Sequence, residues 1–263
     1  MRKALPFSVI HADLGGLAER VSGFTTTRSG GVSLGCFGDG QGGGGLNLGM
    51  HVADCEQSVA INRAKLNCIL PSDVMFFSQV HGNIVLNASD ISGSATGDAV
   101  FAAQPGIVCG VLTADCLPVL LSDKNGKVVA AAHAGWRGLA GGVLKNTVAE
   151  MRATGADEIV AWLGPAIGPE KFEVGREVLD AFSDGTGRVP EPYNYFVPRD
   201  QRRYPGKYFA DIYGLARALL KSENVSQVTG GTRCTVTDEA NFYSYRRDGV
   251  TGRMASLIWI NPS

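Results

Sequence analysis

The sequence predicts an α+β fold, mixed β-sheets with helices packed outside, and two observations carry that reading. Apolar, β-branched runs bounded by turn residues occur both as hairpin partners and in alternation with helical patterns. The composition, 44% hydrophobic and 19% charged over 263 residues, supports a sizeable core and is too apolar for a disordered chain. Strands are predicted at 74–80 (VMFFSQV), 106–114 (GIVCGVLTA), 118–123 (PVLLSD), 127–134 (KVVAAAHA), 158–164 (EIVAWLG) and 255–260 (ASLIWI). The third and fourth read as a hairpin turning through Asn125-Gly126. A helix is predicted over 139–151, with Leu139, Val143, Leu144, Val148 and Met151 on one face and Gly155 as the residue that ends it. Residues 176–182 and 211–224 also read as helices.

Charge and composition exclude several classes. The formal net charge is −1, whereas a general nucleic-acid or membrane-surface binder is strongly basic, so a small-molecule substrate is expected. The N-terminal stretch "MRKALPFSVIHADL" has no continuous apolar segment or small-residue cleavage site, and no apolar run is long enough to cross a bilayer. A soluble, cytoplasmic protein is the expectation. Six cysteines (36, 55, 68, 109, 116 and 234) form no C-x-x-C pair, which disfavours a disulfide scaffold or a zinc finger and reads mostly as small buried residues. The glycine-rich stretch 35–45 ("GCFGDGQGGGG") reads as a mobile surface loop; no G-K-[ST] follows it, so a P-loop is not supported.

Three short stretches place a His or Cys at the end of an apolar run: "SQVH" at 78–81, "TADCLP" at 113–118 and "HAGWRG" at 133–138. Strand ends are where such folds carry their sites. His81, Cys116 and His133 are separated by 35 and 17 residues, too far for a finger but suited to three elements meeting at one point. Two imidazoles and a thiolate suit zinc, and three protein ligands leave the fourth position for water or substrate, the pattern of a catalytic site. The same residue types also fit Cys116 as a nucleophile with a histidine base, or three structural residues with no shared role.

The stretches "SQVHG", "TADCLPVLL" and "HAGWRGL", with "FTTTRSGGVS" at 24–33, "LNLGMHV", "GPAIGPEKFEVG", "CTVTDEANFYSYRRDG" and "TGRMASLI", resemble the YfiH-like family over nearly the whole chain. That family was first described as multicopper polyphenol oxidase or laccase-domain proteins and is now described as purine nucleoside phosphorylases. The resemblance implies one domain over residues 1–263, with mixed sheets sandwiched between helices, and metal ligation, generally of zinc, by His81, Cys116 and His133. It also implies phosphorolysis of adenosine, inosine and methylthioadenosine, and deamination of adenosine. The glycine-rich stretch before Leu46 is longer than the family pattern.

Counting residues disfavours laccase chemistry. Four histidines cannot supply an electron-entry copper together with a three-copper cluster. A lone copper with an axial Met stays possible in principle, but the methionine nearest to Cys116 and His133 in sequence is Met151, inside the predicted helix. Zinc lowers the pKa of the water it holds from about 15.7 towards 7, which suits attack at C6 of a purine. Without a His-x-Glu signature, Asp115 is the nearest candidate proton carrier, with a hydrogen-bonding or turn role as the alternative. Arg28 and Arg137 are candidate phosphate ligands, against a reading as surface salt bridges. Asn47 is a candidate for orienting ribose or base, and Gln79 for a purine edge, against turn and strand-end roles. His51 resembles a family position near the pocket, against a packing role, and the aromatics of "FYSYRR" are candidates for stacking on the base, against a core role that is expected for Phe242. A cysteine amidase acting on peptidoglycan-type fragments, and a non-catalytic binding module, are the competing functions.

Overall fold

The Asn125-Gly126 turn and its flanking strands organise the largest sheet in the computed structural model, which describes residues 5–17, 19–91, 95–183 and 189–262. The N-terminal third contains β1 (Val9–His11), β2 (Val21–Thr26), β3 (Ser29–Ser33), α1 (Glu56–Asn67) and β4 (Val85–Asn87). The middle contains β5 (Ala99–Ala102), β6 (Val108–Thr113), β7 (Leu117–Asp123), β8 (Val129–Ala134), α2 (Trp136–Ala140), α3 (Val143–Ala153) and β9 (Ile159–Leu163). The remainder contains β10 (Glu173–Gly175), α4 (Arg176–Phe182), β11 (Phe196–Pro198), β12 (Lys207–Ala210), α5 (Ile212–Ser222), β13 (Gln227–Gly230), α6 (Tyr245–Asp248) and β14 (Met254–Ile260).

One sheet has the order β1-β2-β14-β6 and is antiparallel throughout. The larger one, β13-β9-β7-β8-β5-β4, is mixed, with parallel pairs only at its two edges. β10, β12 and β11 form a small antiparallel sheet. Side-chain alternation explains the layering. Leu120, Val129, Ala131 and Trp162 of the large sheet meet Cys109, Val111 and Ile258 of the first, making a buried layer between the sheets. Leu117, Val119, Leu121, Ala130 and Ala132 point the other way, onto Val143, Leu144 and Val148 of α3 and Leu215 and Leu219 of α5. The outer face of the first sheet is covered by Leu66 of α1 with Leu46 and Leu48. Mixed sheets with helices outside are therefore present as expected.

The hairpin forms as read. The Asp123 carboxylate accepts the backbone N–H groups of Asn125, Lys127 and Val128, and Gly126 takes the positive φ that the turn requires. Gly155 ends α3 with φ +101, its N–H bonding the Arg152 carbonyl and that of Ala156 the Met151 carbonyl, the two bonds of a Schellman cap.

Four expectations differ from the structure. Residues 74–80 form no strand; Ser78 makes one isolated bridge to Thr96, and the Gln79 side chain, not its backbone, pairs with Leu112 on edge strand β6. The helix over 139–151 is two helices, broken at Gly141-Gly142, where Gly142 adopts φ +92. The glycine-rich stretch is pinned: Arg28 donates to the Gly38 carbonyl, Asp39 accepts Gln41 and Gly43 N–H groups, and the Tyr243 hydroxyl donates to the Phe37 carbonyl. Its glycines permit close backbone passage, since a Cβ at Gly45 would collide with the Phe37 carbonyl oxygen. Cys36, Cys55 and Cys68 are exposed, not buried.

Candidate metal centre and its cleft

Antiparallel pairing of β7 with β8 places Pro118 opposite His133, so Cys116, one step before β7, falls diagonally across from His133 on the same face. Gly135 occupies the position opposite Cys116, and a Cβ there would stand 2.9 Å from His81 Cδ2 and 3.1 Å from Cys116 Sγ. A side chain at that point would fill the space between the ligands. His81 arrives from the irregular 74–84 segment with φ +60, a left-handed conformation unusual for a residue with a Cβ.

What holds His81 there is Asp98, a residue the sequence reading did not single out. Its fully buried carboxylate accepts the backbone N–H groups of Val80 (3.2 Å), His81 (2.9 Å) and Gly82 (2.6 Å). The same carboxylate lies 2.8 Å from His133 Nδ1. One anion thus fixes both histidines. Burial works to raise the Asp98 pKa, but the His133 bond and the backbone donors outweigh it and hold the carboxyl below its usual range. With Nδ1–H of His133 engaged, Nε2 is the nitrogen left to face Cys116.

The ligand atoms of His81, Cys116 and His133 all lie within 4.8 Å of one another, the only such trio of His, Cys, Asp or Glu among the described residues. Cys116 Sγ is 3.8 Å from His81 Nε2, and the two imidazole centroids are 4.8 Å apart. Tetrahedral zinc bonds imply ligand separations of roughly 3.4–3.6 Å, so small side-chain rotations suffice. Burial alone would push the Cys116 thiol up, but the charges and hydrogen bonds of His133 and His81 outweigh it and bring it down to about 6. Burial alone would likewise lower His133, yet the Cys116 thiolate and Asp98 raise it to about 9. The donor set, its ionisation and the free space at Gly135 all fit a single metal ion.

Two cavities flank the trio, and His81, Cys116 and Tyr245 line both. One, about 780 Å³, is walled by Met50, His51, Arg63, Phe76, Gln79 and Arg253. The other, about 420 Å³, is walled by Trp136, Arg137, Phe172, Glu173, Glu177 and Arg246.

The other candidate residues fall in different places. Asp115, with φ +83, has its carboxylate occupied by the Thr235 and Ser244 hydroxyls and the Arg246 backbone N–H, so it ties β7 to α6 instead of reaching towards the metal position. Arg28 lines neither cavity; it is 4% exposed, bonded to the Gly38 and Glu239 carbonyls, and stacked 4.9 Å from the Tyr243 ring centroid. Arg137 does face the second cavity, its guanidinium 4.3 Å from the Trp136 ring centroid. The helix it sits on has only five residues and offers an anion little dipole of its own. Asn47 is fully buried, accepting Gly49 and Arg253 N–H groups and donating to Asp54. Gln79 lines the larger cleft with both amide atoms held by Leu112. Phe242 is buried, with Tyr243 and Met254.

Fold and site together define a mixed α/β protein whose His-Cys-His cluster, fit to hold one metal ion, opens to a cleft. The chain belongs to the family described as multi-copper polyphenol oxidoreductase laccase, matching it over residues 22–261. It is 49% identical over 241 residues to a purine nucleoside phosphorylase of Pseudomonas aeruginosa, covering 92% of this chain and 94% of the relative. Purine nucleoside phosphorylase YfiH of Escherichia coli is 46% identical over 243 residues, covering 91% and 94%. Of solved structures, a Neisseria meningitidis protein matches with TM-score 0.84 at 44% identity over 97% of this chain and 99% of that one. YlmD of Geobacillus stearothermophilus matches with TM-score 0.78 at 31% identity over 92% of each. No helix among the described residues is long and apolar enough to cross a membrane.

Proposed function

We propose that this protein is a zinc-dependent purine nucleoside phosphorylase of the cytoplasm, converting adenosine, inosine or methylthioadenosine and phosphate to free base and the ribose 1-phosphate, with adenosine deaminase as a second activity. The observation that carries this reading is the convergence of His81, Cys116 and His133 beside a cleft of nucleoside size, in a chain whose relatives bear the phosphorylase name. A zinc ion held by these three side chains would supply a Lewis acid to the reaction. One thiolate and two imidazoles are the donor types that zinc takes in catalytic sites, which favours it here.

The chain's own residues do the rest. Asp98 accepts the Nδ1 proton of His133, which would leave Nε2 free to hold a metal ion. Phe76 and Tyr245 offer aromatic surface along the larger cleft for the purine. In phosphorolysis the N9–C1′ bond breaks, an oxygen of hydrogen phosphate bonds C1′, and the base departs carrying the proton that the phosphate gives up. Purified protein given adenosine should release adenine only when phosphate is present. Equal release without phosphate would establish a hydrolase instead.

A second reading has an observation of its own. The Cys116 thiol brought down to about 6 beside a protonated His133 is also the arrangement of a cysteine nucleophile, as an amidase would use. Alkylation separates the two. Under the zinc reading, iodoacetamide leaves Cys116 untouched until a chelator is added. After chelation the rate rises with pH about a midpoint near 6, because the thiolate predominates above that value, and reaches its plateau by neutral pH. Prompt alkylation of the protein as isolated, unchanged by chelation, favours the nucleophile.

A further inference from the structure

The larger cleft has an unusual charge balance. Arg63 and Arg253 both line it, with His51 on the same wall, and none of its lining residues is Asp or Glu. Both arginines are half-buried, and among the described residues neither forms an ion pair with a carboxylate. Their hydrogen bonds run to carbonyl oxygens: Arg63 Nε to Leu48, and Arg253 Nη1 to Thr251 and Gly252. Each thereby keeps guanidinium nitrogens for another partner. The Cys116 and Asp115 charges reach Arg253 from further off, but no carboxylate contacts either arginine, and half-buried cations without such a contact are stabilised by an anion that completes them.

Their placement is constructed, not incidental. Arg63 is held 4.8 Å from the Phe76 ring centroid. Arg253 has its backbone N–H anchored on Asn47 Oδ1, and Asn47 is itself fixed by Asp54. A second, independent sign comes from Thr113, which is 2% exposed on the wall of this cleft. Its hydroxyl is the one buried side-chain polar atom among the described residues with no hydrogen-bond partner. Such an orphan in an otherwise satisfied interior asks for a ligand.

We propose that Arg63, Arg253 and the Thr113 hydroxyl form the subsite for a phosphate dianion, beside the His81–Cys116–His133 centre. Two forked guanidiniums and one hydroxyl match the acceptor oxygens of such a group. The proposal rests on the phosphorylase reading for its catalytic meaning, and replaces Arg28 and Arg137 as the phosphate ligands. The phosphate is either the free co-substrate or the 5′-phosphate of a nucleoside monophosphate; both carry the same chemistry.

The test uses zinc-loaded full-length protein and the variants Arg63→Met, Arg253→Met and Arg63→Lys. Inorganic phosphate and AMP binding are measured by calorimetry, and KM values for phosphate and adenosine by turnover. Zinc content and melting temperature are taken on each sample. Each methionine variant should weaken phosphate binding by about ten- to a hundredfold, with adenosine KM within about twofold and zinc retained. Arg63→Lys should recover part of the loss. Weakened AMP binding with unchanged inorganic phosphate binding assigns the subsite to a nucleotide. Arginine-dependent phosphate binding without adenosine cleavage upholds the subsite while refuting the phosphorylase reading. Phosphate-dependent cleavage whose phosphate KM is indifferent to both arginines, in folded variants, overturns the subsite and leaves the phosphorylase reading standing.

Discussion

Asp98→Ala should lower folding stability by about 3–5 kcal/mol and strip the protein of metal at the same time. Removing one partner from a buried hydrogen-bonded pair leaves the other uncompensated, which sets that magnitude. Here the loss is compounded, because three backbone N–H groups at Val80, His81 and Gly82 lose their acceptor and His81 its reason to hold φ +60. Asp98→Asn separates stability from tuning. It retains an acceptor oxygen but not the charge, so the fold should persist while zinc affinity falls about 10- to 100-fold, as for other groups that orient a metal-bound histidine. Denaturant unfolding and chelator competition on both variants read the two effects separately. The sign with pH follows from the carboxyl's lowered pKa. Its stabilisation is present at neutral pH and is lost as pH falls through and below the ordinary carboxylate range. Zinc affinity of Asp98→Asn equal to that of the parent protein contradicts the orienting role.

Cys116→Ser should cut adenosine turnover by roughly a thousandfold, equivalent to about 4 kcal/mol of barrier, with little change in fold. An alcohol is nearly isosteric with a thiol, but at neutral pH it is a poor ligand for zinc. Unlike Asp98, Cys116 braces no neighbouring backbone, so its loss is felt in metal retention and chemistry. Far-ultraviolet dichroism and metal content on the same preparation check this. A zinc-free serine variant with parental turnover contradicts it.

The trio was legible in the sequence because each member ends an apolar run, and β7 and β8 declare their pairing through Asn125-Gly126. Asp98 was not, since its importance depends on β5 lying antiparallel to β8, a pairing across more than thirty residues that brings it level with His133. In the chain it is only a polar residue after a glycine. Arg63 lies on α1, where no helix was expected, and Arg253 is one charge before β14; their shared cleft exists only once α1 covers the sheet that contains β14. Arg28 misled in the opposite sense. A long cation beside Gly30 and Gly31 looks like a ligand for an anion, but the guanidinium is spent on the carbonyls of Gly38, ten residues on, and Glu239. Residues 74–80 have the composition of a strand, but with Met75 and Val80 exposed and Gln79's amide replacing a backbone pair, they run over β6 without joining it.

Adenine formation measured while zinc is titrated back into chelated protein probes the assignment most directly. We expect phosphate-dependent activity to rise linearly and to saturate at one zinc per chain, with no recovery in Cys116→Ser. Full activity in the metal-free protein, or a rise that continues well past one equivalent, would contradict a single catalytic ion held by His81, Cys116 and His133.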